Sequence, residues 1–244
     1  MSPYLWSRGF QKLDVVASTH AHQDHIGGLT AILENFRVGT LWIGREVESG
    51  ALANLEKLAR EQKIPVLHEA RGSAFAWDEV ESQIPWPEIA PEKVGPAPKN
   101  NDSLVLRLKY GDRSMMLAGD AEKQAESSIL SENGDTTLRA DVLKVGHHGS
   151  KNSTMPRFLA AVHPQVAVIS AGEDNPYGHP SPELLERLSA AEIRILRTDR
   201  DGAVHVLTDG KRLEISCFVA CPEKTARGAL AQPQPPNQQQ HSEQ

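Results

Sequence analysis

Two kinds of pattern alternate along the chain: short solid apolar runs, and stretches in which apolar residues recur every three or four positions. Leu13–Ser18, Thr40–Gly44 and Ile64–Leu67 (interrupted by Pro65) read as strands, and Leu29–Phe36 and Leu52–Gln62 between them read as helices. Farther on, Leu104–Tyr110 and Ser114–Ala118 flank Gly111-Asp112-Arg113 as a hairpin, and Asp141–Val145 and Val166–Ser170 read as buried strands. Helices are predicted over Ala121–Leu130, Met155–Val162 and Pro182–Ala191. Closing strands are predicted at Ile193–Arg197, Ala203–Leu207 and Arg212–Ser216. Strands alternating with helices in this way predict an α/β layered architecture.

The stretch from Ile84 to Lys99 holds Pro85, Pro87, Pro91, Pro96 and Pro98, and is predicted as a surface connection because proline supplies no ladder N–H. Trp77 and Trp86 flank it and are expected to pin it to the body. From Pro222 onward Gln, Pro, Asn and Ala prevail, so the chain divides into a domain over residues 1–217 and a disordered tail over 218–244.

Composition narrows the class. The 244 residues are 39% hydrophobic and 24% charged, the balance of an ordinary globular domain with a sizeable core. No apolar run approaches the ~20 residues that cross a bilayer, so no membrane insertion by this chain is expected. No basic-then-apolar leader opens the sequence, and its two cysteines make no disulfide framework, so a reducing cytoplasm is the expected compartment. Cys217 and Cys221 lack the second pair that a metal hook needs. The net charge of −6 argues mildly against a passive nucleic-acid-binding module, whose contacts are lysines and arginines. It leaves an enzyme open, because bound cations reverse the local field.

The candidate chemistry sits at strand ends. His20-Ala21-His22-Gln23-Asp24-His25 follows the first strand and gathers three imidazoles and a carboxylate, ligands suited to zinc or manganese. In an extended chain His20 and His22 share a side, with Asp24 and His25 just beyond. Asp120 ends the apolar run Leu117-Ala118-Gly119, either as a helix cap or as a carboxylate bridging two ions. Gly146-His147-His148-Gly149-Ser150 closes another strand, and one of its two histidines is expected to face the site while the other packs. Tyr177-Gly178-His179-Pro180 follows one loop after Val166–Ser170. Lys144 is read as a solvated or sheet-edge cation. Metal-capable groups at several strand ends point to one catalytic rim.

These motifs resemble the metallo-β-lactamase-fold hydrolases, and more narrowly the C-terminal hydrolase domain of the ComEC family of DNA-internalisation competence proteins. The resemblance rests on Ser18–Leu29, Asn101–Leu106, Leu117–Asp120, Asp141–Ser150, Asn175–Pro180 and Arg197–Thr198–Asp199 with Gly202–Ala203. It implies an αβ/βα sandwich. The family normally places several strands and an Asp-Val-Gly-Gln-Gly-Asp signature before the histidine cluster, whereas nineteen residues precede His20 here, so the first strands of the first sheet are expected to be missing.

The resemblance further implies two divalent ions, Zn²⁺ or Mn²⁺. His20 and His22 would hold one, Asp24, His25 and His179 the other, and Asp120 would bridge them. The family's later histidine of the first ion site has no counterpart, since Asn101-Asp102-Ser103 stands there; that site would be open, weaker, or completed by His147 or His148. Asp24 joins the catalytic set, His147 or His148 would be the general acid, and Ser150, Lys151 and Asn152 would steady a phosphate. The implied activity is hydrolysis of a phosphodiester such as DNA, with a membrane DNA-uptake channel protein as a partner. Two alternatives stand beside it: hydrolysis of an ester, lactone or thioester, or an inactive truncated remnant.

Overall fold

A computed structural model describes residues 1–88, 97–133 and 138–221. In chain order the elements are α1 (Ser2–Ser7), β1 (Lys12–Ser18), α2 (Gln23–Ile26), α3 (Leu29–Asn35), β2 (Arg37–Ile43), α4 (Gly50–Glu61), β3 (Val66–His68), β4 (Ala74–Trp77) and β5 (Val80–Trp86). They continue with β6 (Val105–Tyr110), β7 (Arg113–Leu117), α5 (Lys123–Asn133), β8 (Val142–Lys144), α6 (Pro156–Val162), β9 (Val166–Ile169), α7 (Pro182–Ala190), β10 (Arg194–Arg197), α8 (Thr198–Asp201), β11 (Val204–Thr208) and β12 (Leu213–Cys217).

The strands form a parallel sheet β1-β2-β3, a mixed sheet β10-β9-β8-β7-β6-β5-β4 and the antiparallel hairpin β11-β12. Helices cover the outer faces. The apolar stripe of α4 (Leu52, Leu55, Ala59) packs with Ile32, Leu33, Leu41 and Ile43 over the small sheet. On the large sheet, Ala125 and Ile129 of α5, Phe158 and Val162 of α6, and Leu184 and Leu188 of α7 cover Met116, Leu143 and Ala167. Between the sheets lie Trp42, Ile84 and Leu104, with Val15, Phe75, Trp77 and Leu106 packed on them. Helices, sheet, sheet, helices is the αβ/βα sandwich expected from the sequence. Ser49 and Ser181 cap α4 and α7 by accepting N–H bonds from Leu52 and Leu184, at 3.4 and 3.3 Å.

Three parts depart from the sequence reading. The surface connection predicted from Ile84 begins instead as the end of β5, where Ile84, Pro85, Trp86 and Pro87 are all buried. Proline is tolerated there because the β5–β6 register shifts between Gln83 and Trp86, so no ladder N–H is required of it. Residues 89–96 of that span lie outside the described residues. Cys217 and Cys221, read as an incidental pair, are joined by a disulfide. Residues 218–221, assigned to the tail, hydrogen-bond to the body through Phe218 N–H to Ala203 O (2.9 Å) and Val219 N–H to Asp201 O (3.0 Å), while 222–244 lie outside the described residues.

β7, β8 and β9 run parallel, so their C-terminal ends share one edge of the large sheet, and antiparallel β6 begins at that same edge. The segments that follow or precede these ends carry Ser103, Asp120, His147, His148 and His179. No helix among the described residues is long and apolar enough to cross a membrane.

Candidate metal centre

Beyond β1 the chain stays extended at His22 (φ −73°, ψ 148°) and then turns into α2, which carries Asp24 and His25. Across the cleft, Gly146 leads into a turn in which His147, His148 and Gly149 all have positive φ (44°, 50° and 89°). Two consecutive non-glycine residues in the left-handed region cost of order 1–3 kcal/mol each, a strain typical of functional loops. Gly149 is required by its φ and by space, since a Cβ there would stand 2.6 Å from the Pro180 Cβ. The turn sends the two imidazoles in different directions.

His148 points into the centre. Its Nε2 lies 3.1 Å from His25 Nε2, 3.3 Å from Asp24 Oδ2 and 3.6 Å from Asp120 Oδ2. His25 Nε2 is 3.2 Å from Asp120 Oδ2 and 3.7 Å from Asp24 Oδ2. Asp24, His25, Asp120 and His148 each offer a ligand atom within 4.8 Å of the others, the one such group of three or more among the described residues. The His148 Nδ1 faces the Ser170 carbonyl at 2.8 Å and must donate to it, which leaves a lone pair on Nε2. Asp120 Oδ1 is buried with no hydrogen-bond partner. The Asp120 Oδ2 and Asp24 Oδ2 oxygens with the imidazole lone pair of His148 are the donor set that zinc or manganese takes.

His20 and His22 lie beside this group. His20 Nε2 is 2.9 Å from His22 Nδ1 and 3.9 Å from Asp120 Oδ2. His22 Nε2 faces the Pro98 carbonyl at 3.2 Å, so its proton sits there and Nδ1 is the acceptor that faces His20 Nε2. Burial, then the neighbouring His25, push His20 down to about 3, so it is neutral and able to bind a cation at ordinary pH. Asp120 shows the opposing pull: burial pushes its carboxyl up, but the His25 hydrogen bond and the charges of His25, Lys144 and His148 outweigh it and hold the group below the usual carboxylate range.

The segment Asn101-Asp102-Ser103, which stands where the resemblance expects a histidine, supports the centre from behind. Asn101 Oδ1 accepts the Glu122 and Ala125 N–H groups (3.0 and 3.3 Å) and so caps α5. Asp102 accepts the Lys99 N–H at 2.8 Å. Ser103 Oγ accepts the Asp120 N–H at 2.8 Å and reaches His20 Nδ1 at 3.2 Å. The Trp86 indole donates to the Asn101 carbonyl at 2.7 Å, pinning this segment in place. Thr19 Oγ1 bridges His20 Nδ1 and His25 Nδ1, at 3.2 and 3.1 Å.

The remaining expected residues fall outside the four-membered group. His147 turns its Nδ1 to Glu122 Oε1 at 2.8 Å. His179 packs against His147, with ring centres 5.5 Å apart, and its buried Nδ1 has no partner. It lies outside the group formed by Asp24, His25, Asp120 and His148. Ser150 is buried and its Oγ accepts the Asn152 N–H at 3.3 Å, whereas Lys151 and Asn152 are exposed on the rim. Lys144 is corrected: it lies on a central strand, donates to the Gly119 carbonyl at 2.9 Å and stands 3.9 Å from Asp120 Oδ1. Burial lowers its ammonium below the ordinary lysine range. Glu122, Thr19 and Ser103 were missed as individuals, because nothing in a lone Glu, Thr or Ser marks the histidine it will orient.

Residues 3–173 match the family described as the Metallo-beta-lactamase superfamily. ComE operon protein 3 of Bacillus subtilis is 38% identical over 203 residues, covering 83% of this chain and 25% of that protein. Competence protein ComA of Neisseria gonorrhoeae is 32% identical over 83% of this chain and 26% of its own length, and Recombination protein 2 of Haemophilus influenzae is 31% identical over 87% and 24%. The chain thus spans about a quarter of these relatives. In fold it is similar to CmlA, a diiron beta-hydroxylase from Streptomyces venezuelae, with a TM-score of 0.52 at 14% identity over 77% of this chain and 44% of that one. By the extent of the family match and by these relatives, the chain belongs to the metallo-beta-lactamase superfamily.

Proposed function

We propose that this chain is a metal-dependent phosphodiesterase that acts on DNA, the hydrolytic part of a DNA-uptake system that includes a membrane channel protein. The observation that carries the hydrolytic reading is the convergence of Asp24, His25, Asp120 and His148 on one point, with Asp120 Oδ2 within 3.6 Å of both imidazoles. Competence and recombination names among the relatives support the DNA context.

In this reading Asp24, His25, Asp120 and His148 would hold one divalent ion, and His20 and His22 would help to hold a second. Such ions supply Lewis-acid stabilisation of a phosphoryl oxygen and a hydroxide equivalent near neutral pH. The chain's own groups do the rest. Lys144 stands 3.9 Å from Asp120 Oδ1 and donates to the Gly119 carbonyl, which holds the loop that carries Asp120. His147, with Nδ1–H donated to Glu122, presents Nε2 as the proton carrier for the leaving oxygen. Lys151 and Asn152, exposed on the rim, meet the non-bridging phosphate oxygens, and buried Ser150 shapes their loop.

The test is turnover of bis-p-nitrophenyl phosphate and linear DNA with Mn²⁺ or Zn²⁺, beside an acyl lactone. Phosphodiester cleavage abolished by Asp120→Ala is expected. Lactone cleavage without phosphodiester cleavage would overturn the substrate assignment, and phosphodiester turnover undiminished in Asp120→Ala would overturn the site.

A further inference from the structure

Two adjoining cavities lie along α5. The first, of about 400 Å³, is lined by Asn101, Glu122, Lys123 and Asn152 among others, so Glu122 is at once its wall and the partner of His147. The second, of about 410 Å³, shares Lys123 and Ser127 with the first and ends at Arg157, over an apolar floor that includes Leu130, Met155 and Phe158. Each is within the size range of cavities that hold a small ligand.

The charges here are unevenly committed. Glu122 is occupied by His147. The buried Glu126 carboxylate accepts the backbone N–H groups of Thr154 and Met155, the latter at 2.8 Å. Lys123 and Arg157 are exposed and, among the described residues, neither pairs with a carboxylate. The walls are tied together by the Lys123 N–H bond to the Asn152 carbonyl at 3.0 Å. The groove therefore combines an apolar floor with free cations on its rim, and its Glu122 wall contacts His147. Apolar surface for base faces with cations for the backbone is the chemistry of a single nucleic-acid strand.

We propose that this α5–α6 groove binds the single strand flanking the scissile phosphodiester, with Lys123 and Arg157 contacting successive backbone phosphates. The proposal rests on the phosphodiesterase reading, and its test is independent of turnover. Fluorescence anisotropy in chelator-containing buffer measures binding of labelled single-stranded oligonucleotides of about 5 and about 15 nucleotides, lengths that bracket typical single-strand sites. The intact chain should bind the longer strand at least tenfold more tightly.

Arg157→Glu should remove most of that gain and flatten the salt dependence by about one unit of slope, and Arg157→Lys should restore both. Arg157 is exposed, so the variants are expected to melt like the parent. Equal affinity for the two lengths, an Arg157→Glu variant that binds like the parent, or competition by poly-glutamate as effective as by oligonucleotide would each overturn the proposal. Binding that follows the expected pattern in a protein without turnover would leave the groove standing and sink only the hydrolytic reading.

Discussion

His25 and His148 are separated by 123 positions in sequence, yet their Nε2 atoms lie 3.1 Å apart with Asp120 Oδ2 beside both. Because the His148 proton is committed to the Ser170 carbonyl, its lone pair faces the other ring and two carboxylates. A cation at that point relieves the repulsion of like-charged groups held close together. Saturating Mn²⁺ or Zn²⁺, at about a hundred times its dissociation constant, should therefore stabilise the fold by about 2.7 kcal/mol and raise Tm by roughly 5–10 °C. Differential scanning with and without chelator checks this, and identical melting curves would contradict it.

Ser103 fixes Asp120 through the backbone rather than the carboxylate, by accepting its N–H at 2.8 Å. Ser103→Ala leaves a buried donor unsatisfied and should cost about 1–3 kcal/mol in denaturant unfolding. It should also weaken metal affinity roughly 10- to 100-fold, the usual effect of losing a group that orients ligands. Titration calorimetry on the folded variant measures the second effect apart from the first.

Glu122 orients His147 from 2.8 Å, with the carboxylate accepting the Nδ1 proton. In Glu122→Gln the ring loses that anchor, and kcat on a phosphodiester should fall roughly hundredfold while KM changes little. A change confined to KM would place Glu122 in substrate binding instead.

Glu126 makes stability depend on pH. Burial pushes its carboxyl from the usual 4.5 up to about 7, against the pull of the Met155 and Thr154 N–H groups and Arg187, with Glu122 adding to the rise. The folded chain therefore binds more protons than the unfolded chain between about pH 4.5 and 7, and this contribution to stability is lost as pH rises through that window. Urea midpoints measured across it should fall with pH in the parent and less steeply in Glu126→Gln. Parallel pH profiles would contradict the assignment.

The layered fold and the His20–His25 loop were legible because each depends on local pattern: apolar runs for strands, ligand spacing for the loop. The aim of His148 toward His25 was not, because it depends on a left-handed turn at His147 and His148 that no residue type announces. The β4–β5 hairpin was hidden for a similar reason. Its turn at Asp78 and Glu79 takes a positive φ of 51° at Asp78 without any glycine, and Pro85 disguises the end of β5. Lys144 read as a solvated cation because its partner, the Gly119 carbonyl, is brought to it only by the β7–β8 pairing. The Asn101–Ser103 segment was visible as a motif, but its work of capping α5 and holding Asp120 appears only in three dimensions.

The most direct measurement is the anomalous scattering of Mn²⁺ in crystals of this chain. The account predicts a strong peak within about 2–2.3 Å of ligand atoms of Asp24, His25, Asp120 and His148, and a second peak between His20 and His22. Both should vanish in Asp120→Ala. Well-ordered crystals with no peak at the four-residue group, or with manganese bound at His147 and His179 instead, would contradict it.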